Sequence, residues 1–285
     1  MIDVRPVQTH DEYRDVEHLQ RLAWGHGDLD VVPDHLLITI QKNGGLVLGA
    51  FEVSPGDGLG GVQERPVGFA LGFIGLAPDG QLKHCSHMVG VPPTEQNRNV
   101  GYRLKLAQRA HVLAQGIDLI TWTFDPLESR NARLNFHKLG ATCNIYLREV
   151  YGRMRDELNV GLPSDRFQVD WHLASVQVRG RLRGDWVATS LMALCGEGVP
   201  IVNRALPGDL PHPPRTVLPL EGDRLLVQIP AHFQALKAAD FGLACAWREH
   251  TRALFEAAFA AGYTAVDLIL ERGESYYLLE RETSL

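Results

Sequence analysis

Between Leu82 and Glu149 the apolar spacing switches repeatedly from strand-like to helix-like and back. Strands are expected at Leu82–Val91, Leu119–Phe124 and Cys143–Glu149, with helices at Val100–Gln115 and Ser129–Leu139 between them. Parallel neighbours need a crossover, and a helix between successive strands supplies one, so part of the sheet must be parallel. Ahead of this run, Val4–Val7 reads as a short strand. Asp11–Trp24 reads as a helix with Tyr13, Val16, Leu19 and Leu22 on one face. A second helix spans Pro33–Gln41, with proline in its first turn and Gly44 and Gly45 ending it. Leu46–Val53 and Val67–Leu76 form a hairpin across the Gly-rich turn Ser54–Glu64, and the strand from Leu82 stops at Pro92-Pro93. The expected class is α/β (α+β), a mixed, partly parallel central sheet flanked by helices, with a C-terminal α/β extension.

Past Tyr151 the texture changes. Tyr151–Phe167 is polar and carries Arg153, Arg155, Asp156, Asp165 and Arg166; it reads as a substrate-covering loop or as an ion-paired linker. Val169–Val178 looks like a strand, and Val199–Arg215 is rich in proline with little periodicity. Leu225–Ile229, Thr264–Leu270 and Tyr276–Leu279 read as strands, and Ala238–Ala261 holds an amphipathic helix. The expected organisation is therefore a first domain over 1–150, a polar, Pro-rich connection over 151–215 and an α/β section over 216–285. A faint echo links Asn131–Gly140 with Arg252–Gly262, each a helix ending in glycine before a strand. Arg248 and Arg252 share a helical face that suits either an acidic substrate or solvent.

A length of 285 residues fits one large domain or two packed ones. Lys and Arg total 28 against 34 Asp and Glu, a net charge of −6 that argues against a nucleic-acid scaffold. The 4 cysteines form no CxxC pair, so neither a zinc site nor a disulfide framework is expected, and no metal is assigned. Met1–Arg14 mixes acids, arginine and histidine, unlike a secretory leader, and no apolar run is long enough for a bilayer. A cytoplasmic protein with no membrane partner is the expectation.

The segment richest in chemistry is Ser86–Leu113. A strand passes through Pro92-Pro93 into Glu95-Gln96-Asn97-Arg98-Asn99-Val100-Gly101, and a helix opens directly after it. Unpaired amide N–H groups and the helix dipole make such a turn a site for a phosphate or pyrophosphate. Gly101 allows close backbone approach, and Arg98, Arg103 and Lys105 add positive charge. An ordinary helix start with solvated basic residues is the alternative reading. Neither a GxGxxG nor a GxxxxGK[ST] fingerprint is present. For proton transfer the candidates are His87, on the strand, and Asp125 and Glu128, just past a strand end where active-site acids gather. His84 shares the strand with His87, and Asp125 before Pro126 reads equally as a turn former.

Gln96-Asn97-Arg98-Asn99-Val100-Gly101 resembles the [Gln/Arg]-x-x-Gly-x-[Gly/Ala] acyl-CoA motif of the GNAT superfamily of N-acetyltransferases. Ala132-Arg133-Leu134-Asn135-Phe136-His137-Lys138-Leu139-Gly140-Ala141 is similar to that family's second signature. The resemblance covers roughly residues 1–150. Ser86-His87-Met88, Phe124-Asp125-Pro126 and Leu162-Pro163-Ser164-Asp165-Arg166-Phe167 look like a bacterial subgroup with long C-terminal extensions. The resemblance implies that the backbone amides of Asn97, Arg98, Asn99, Val100, Gly101 and Tyr102 hold the coenzyme A pyrophosphate, with Gln96 also among the cofactor-binding residues. Met88, Val89 and Val91 would bind the pantetheine arm and polarise the thioester, and Asn131 and Leu134 would line the cofactor's other side. The activity implied is acyl-CoA-dependent N-acylation of a small metabolite's amine, with acetyl-CoA or another acyl-CoA such as succinyl-CoA as co-substrate. A non-catalytic CoA-binding sensor or structural protein, transfer to a protein lysine, and homodimerisation stay open. Three positions depart from the family pattern. Asn99 replaces the first glycine, Ser129 occupies the usual Asn slot, and Phe136 stands where a tyrosine commonly protonates the thiolate. Tyr102 and Tyr146 are the remaining phenols near the scheme.

Overall fold

The structure, a computed structural model, describes residues 1–25, 30–56, 62–154, 156 and 159–281. Arg155 and the middle of the Ser54–Glu64 turn lie outside the described residues. The chain forms two compact units. One is Met1–Trp122 with the described residues of 155–160, and the other is Thr123–Met154 with Gly161–Leu285.

In the first unit the sheet order is β1 (Ile2–Pro6), β2 (Leu46–Pro55), β3 (Val62–Leu76), β4 (Leu82–Gly90) and β5 (Leu119–Phe124, whose last residues belong to the second unit). The first four strands pair antiparallel, while β4 and β5 pair in parallel at His84↔Ile120 and Cys85↔Thr121. The mixed, partly parallel sheet expected from the alternation is thus present. Helices α1 (His10–Trp24) and α2 (Asp34–Lys42) bury Tyr13, Val16, Leu19 and Leu37 against Val47, Phe69 and Leu71. On the other face α3 (Val100–Ala114) buries Val100 and Leu104 against Leu46, Leu48, Ala50 and Ala70. Pro33 is the N-cap of α2 and not its first residue, and the αL Gly25 closes α1.

Two bulges shape this sheet. The β2–β3 register shifts between Ala50 and Phe51, leaving Val67 as the extra residue beside Pro66. A bulge tolerates a proline within a strand, which is why β3 starts well before the expected Val67. The β3–β4 register shifts between Leu71 and Gly72, so Met88 opposes Leu71 while Ser86 opposes Gly72. His87 is the unmatched residue. The bulge breaks the strict alternation of β4: Met88 packs with the α1–α2 cluster, and Val89 returns to the α3 side.

The second unit orders its strands β7 (Arg166–His172), β6 (Thr142–Leu147), β9 (Thr264–Glu271), β10 (Glu274–Glu280) and β8 (Arg224–Ile229). Its core is aromatic. The Phe167 ring lies 4.7 Å from Phe255 and 5.4 Å from Tyr277, and Phe136 lies 5.5 Å from Tyr277. The strand expected at Val169–Val178 starts and ends earlier. Ser175 accepts a bond from the Val178 N–H and starts α5 (Val176–Arg183) there. Ser190 similarly caps α6 (Leu191–Gly196), a helix that periodicity did not reveal. The helix expected from Ala238 begins anew at Asp240, whose carboxylate caps α8 (Phe241–Ala260) after α7 (Phe233–Ala239). Helix α4 (Ser129–Ala132) continues as a π-helical turn over Arg133–Lys138. The two echoing glycines, Gly140 and Gly262, both adopt the left-handed conformation, at φ 72° and 87°. All 4 cysteines are free. Among the described residues, no helix is long and apolar enough to cross a membrane and no His, Cys, Asp and Glu cluster suits a metal.

Candidate active site

The turn into α3 is built from two residues in an uncommon conformation. Asn97 and Asn99 have φ of 66° and 59°, the left-handed region that Asn enters more readily than most side chains. Left-handed residues alternating with ordinary ones turn successive N–H groups towards one side, forming an anion-binding concavity. The first N–H groups of α3 open onto the same end, because a helix gives its first turn no internal acceptors. Gly68 lets α3 sit close to the sheet: a Cβ there would lie 2.9 Å from Val100 Cγ1 and 3.1 Å from the Gly90 carbonyl oxygen.

The charge around this turn differs from expectation. Arg98 is bound by Glu52 and by Glu95, the latter at 2.5 Å. Arg65 joins the same two acids, at 2.5 Å and 2.7 Å. The four side chains alternate in sign, so much of the Arg98 charge is already compensated. Bonds from Arg98 and then Arg65 hold the Glu52 carboxyl down at about 2. The bond from Arg65 acts first on Glu95 and lowers it too. Arg103 donates to the Ile2 carbonyl oxygen at 3.1 Å, which ties the helix to β1. The turn therefore offers backbone dipoles more than free cations.

Lys105 does not face this turn at all. It is 3% exposed and points into the sheet, with Nζ donating to Ser86 Oγ at 2.8 Å and Gln108 Oε1 at 3.2 Å. The ammonium also lies 3.7 Å from the centre of the Trp122 ring. Gln108 continues the chain of contacts to His84 Nε2 at 3.1 Å. His84 has room there because Gly72 lies beneath it, where a Cβ would come within 2.2 Å of the imidazole. Helical spacing carried a signal for this group: Lys105, Gln108 and Val112 fall three and four apart, on the buried stripe of α3.

Met88, Val89, Val91 and the loop from Gln96 to Tyr102 thus come together in the first unit with β4 and its bulge. His87 is exposed on that bulge, its ring 6.0 Å from Phe73. Past Cys85 and Thr121 no further β4–β5 pairs occur among the described residues, so the strands part where the bulge begins.

The remaining candidates lie in the second unit. Asp125 accepts from Arg248 and from the Leu127 N–H at 2.9 Å, so it turns the chain and holds an arginine. Arg248 is 1% exposed and Arg252 grips Asp165 through two bonds at 2.7 and 2.9 Å, so neither arginine is a solvated face residue. Tyr146 donates to Asp165 at 2.7 Å. Glu128 accepts from Gln234 at 2.5 Å, and burial, reinforced by Asp125, raises its pKa. Asn131 is exposed and Leu134 half-buried at the start of the α4 region, whereas Phe136 is wholly buried.

No family model matches the chain, and no curated protein matches it. The solved structures to which it is similar include acetyltransferases. One, assigned to the GNAT family, is from Desulfovibrio desulfuricans, with a TM-score of 0.46 and 15% identity over 61% of this chain and 100% of that one. The ribosomal-protein-S18-alanine N-acetyltransferase of Escherichia coli gives 0.44 and 13% over 62% and 96% of the two chains. A GNAT family acetyltransferase from Elizabethkingia anophelis with acetyl-CoA bound gives 0.42 and 13% over 60% and 97%.

Proposed function

We propose that this chain is a GNAT-type N-acyltransferase that moves an acyl group, acetyl in the first instance, from coenzyme A to the amine of a small metabolite. The observation that carries this reading is the turn at Asn97 and Asn99, two left-handed residues at the start of α3, a backbone geometry that favours N–H groups converging on an anion. A pyrophosphate suits such a concavity, and Gly101 puts no side chain into the first helical turn. From there an acyl arm follows β4. The bulge at His87 leaves strand amides outside the ladder, available to bond the thioester carbonyl and the oxyanion that forms from it.

The acceptor's amine attacks the thioester directly, so the chain's task is to align two partners and move two protons. Within the second unit, Asp125 is engaged by Arg248, whereas burial raises the pKa of Glu128. A non-catalytic CoA-binding role is the second reading. Its support is Phe136, packed at the centre of an aromatic core with no proton to give.

Calorimetric titration with acetyl-CoA, succinyl-CoA and free CoA tests the proposal, with Gly101→Glu as the paired variant. The glutamate carboxylate would occupy and repel the pyrophosphate position, and its affinity is expected to fall by about a hundredfold, roughly 3 kcal/mol. The acyl form that binds more tightly then directs an amine screen. A native protein that binds none of the three overturns the reading. Binding without turnover of any amine favours the non-catalytic role.

A further inference from the structure

We propose that Lys105 is the proton donor to the departing thiolate. The inference rests on the acyl-CoA reading above and supplies the acid that Phe136 cannot be. Lys105 is a buried amine with no carboxylate bound to it among the described residues. Its partners are the Ser86 hydroxyl, the Gln108 amide oxygen and the face of Trp122. None of these carries a full negative charge, so the ammonium is held but not neutralised. Burial brings its pKa down to about 7, within reach of a thiol near ~8.5, so it is a well-matched donor at neutral pH. The titratable group next to it is His84 on β4, on which His111 of α3 also acts. Burial, followed by the Lys105 and His111 charges, lowers His84 to about 4 and keeps it neutral.

Position makes the second argument. Ser86 immediately precedes the bulge residue His87, at the point where β4 has left β5. Lys105 reaches that point from α3, the helix whose first turn forms the anion concavity. A thioester laid along β4 from this concavity brings its sulfur to the bulge, beside the amine.

The step balances. The acceptor's neutral amine forms the C–N bond, and the C–S bond breaks with its electron pair passing to sulfur. The Lys105 ammonium gives one proton to that sulfur, producing the free thiol. The nitrogen of the new amide returns a proton to the neutral Lys105 amine, with the Ser86 hydroxyl available as relay.

The test needs no acceptor. Free CoA is bound to the native protein, to Lys105→Met and to Lys105→Gln, and the thiolate is followed by its ultraviolet absorbance as pH rises. Calorimetry verifies that each variant is loaded. Coupling of the two titrations should make the thiolate appear first as an ammonium–thiolate pair, drawing the apparent pKa of the bound thiol about one unit or more below its value in both variants. Equal thiol titration in native protein and variants, with binding intact, overturns the inference and leaves the acyl-CoA reading standing. A native protein that binds no CoA overturns that reading, and the inference with it.

Discussion

At Lys105 a charge that water would stabilise is held by a hydroxyl, an amide oxygen and an indole face. Its folded pKa of about 7 lies below the ordinary 10.5, so across that interval the unfolded chain binds the proton more tightly. Stability therefore rises with pH through this window, and the penalty of burying the charge is felt in full below it. Lys105→Met removes the charge, keeps the length of the side chain and fills the same space. From about pH 7 to about pH 9 the native protein should gain about 2 kcal/mol relative to this variant. Denaturant midpoints at the two pH values check this, and a constant difference would mean that Lys105 keeps its proton throughout.

The loop that opens α3 depends on backbone conformation more than on side-chain charge. Asn99 enters the helix with φ 59°, where a β-branched side chain collides with its own backbone. Asn99→Val should cost about 1–2 kcal/mol and weaken acyl-CoA binding, whereas Asn99→Gly should preserve both. Thermal melts beside CoA titrations distinguish the two variants. If Asn99→Val bound CoA as well as the native protein, the left-handed turn would not be what holds the anion. On the same element, Arg98 is gripped by Glu52 and Glu95, which anchors the loop at the cost of its free charge. At the other end of the chain, Asp240 separates α7 from α8 and starts the expected helix at Phe241 instead of Ala238, because its carboxylate serves the Leu243 N–H.

Over the whole molecule the net charge is −6, and the turn at Asn97 and Asn99 carries compensated arginines. Affinity for CoA should accordingly depend on dipoles and vary weakly with salt. Titrations between roughly 50 and 200 mM salt are expected to change the affinity by less than about tenfold, since screening acts mainly on exposed charges. A steeper loss would point to unpaired cations at the site. Much of this architecture was legible from residue order. Leu119–Phe124 has the expected bounds, the hairpin β2–β3 is present, and helices between β4, β5 and β6 brought a parallel pair. These features follow from periodicity, turn residues and the need of parallel strands for a crossover, all of which act over short stretches. Ser175 and Asp240 altered helix boundaries through single capping bonds that compete with periodicity on nearly equal terms. The bulges at Val67 and His87 are a property of two strands in register, so neither strand alone discloses them. The ion pairs of Arg98 with Glu52 and of Arg248 with Asp125 join residues 46 and 123 positions apart. Local order thus determined most of the strands and helices and where the left-handed turn into α3 lies. Tertiary packing alone decided which charges were neutralised and which lysine was buried, because desolvation and pairing depend on neighbours that chain closure brings together.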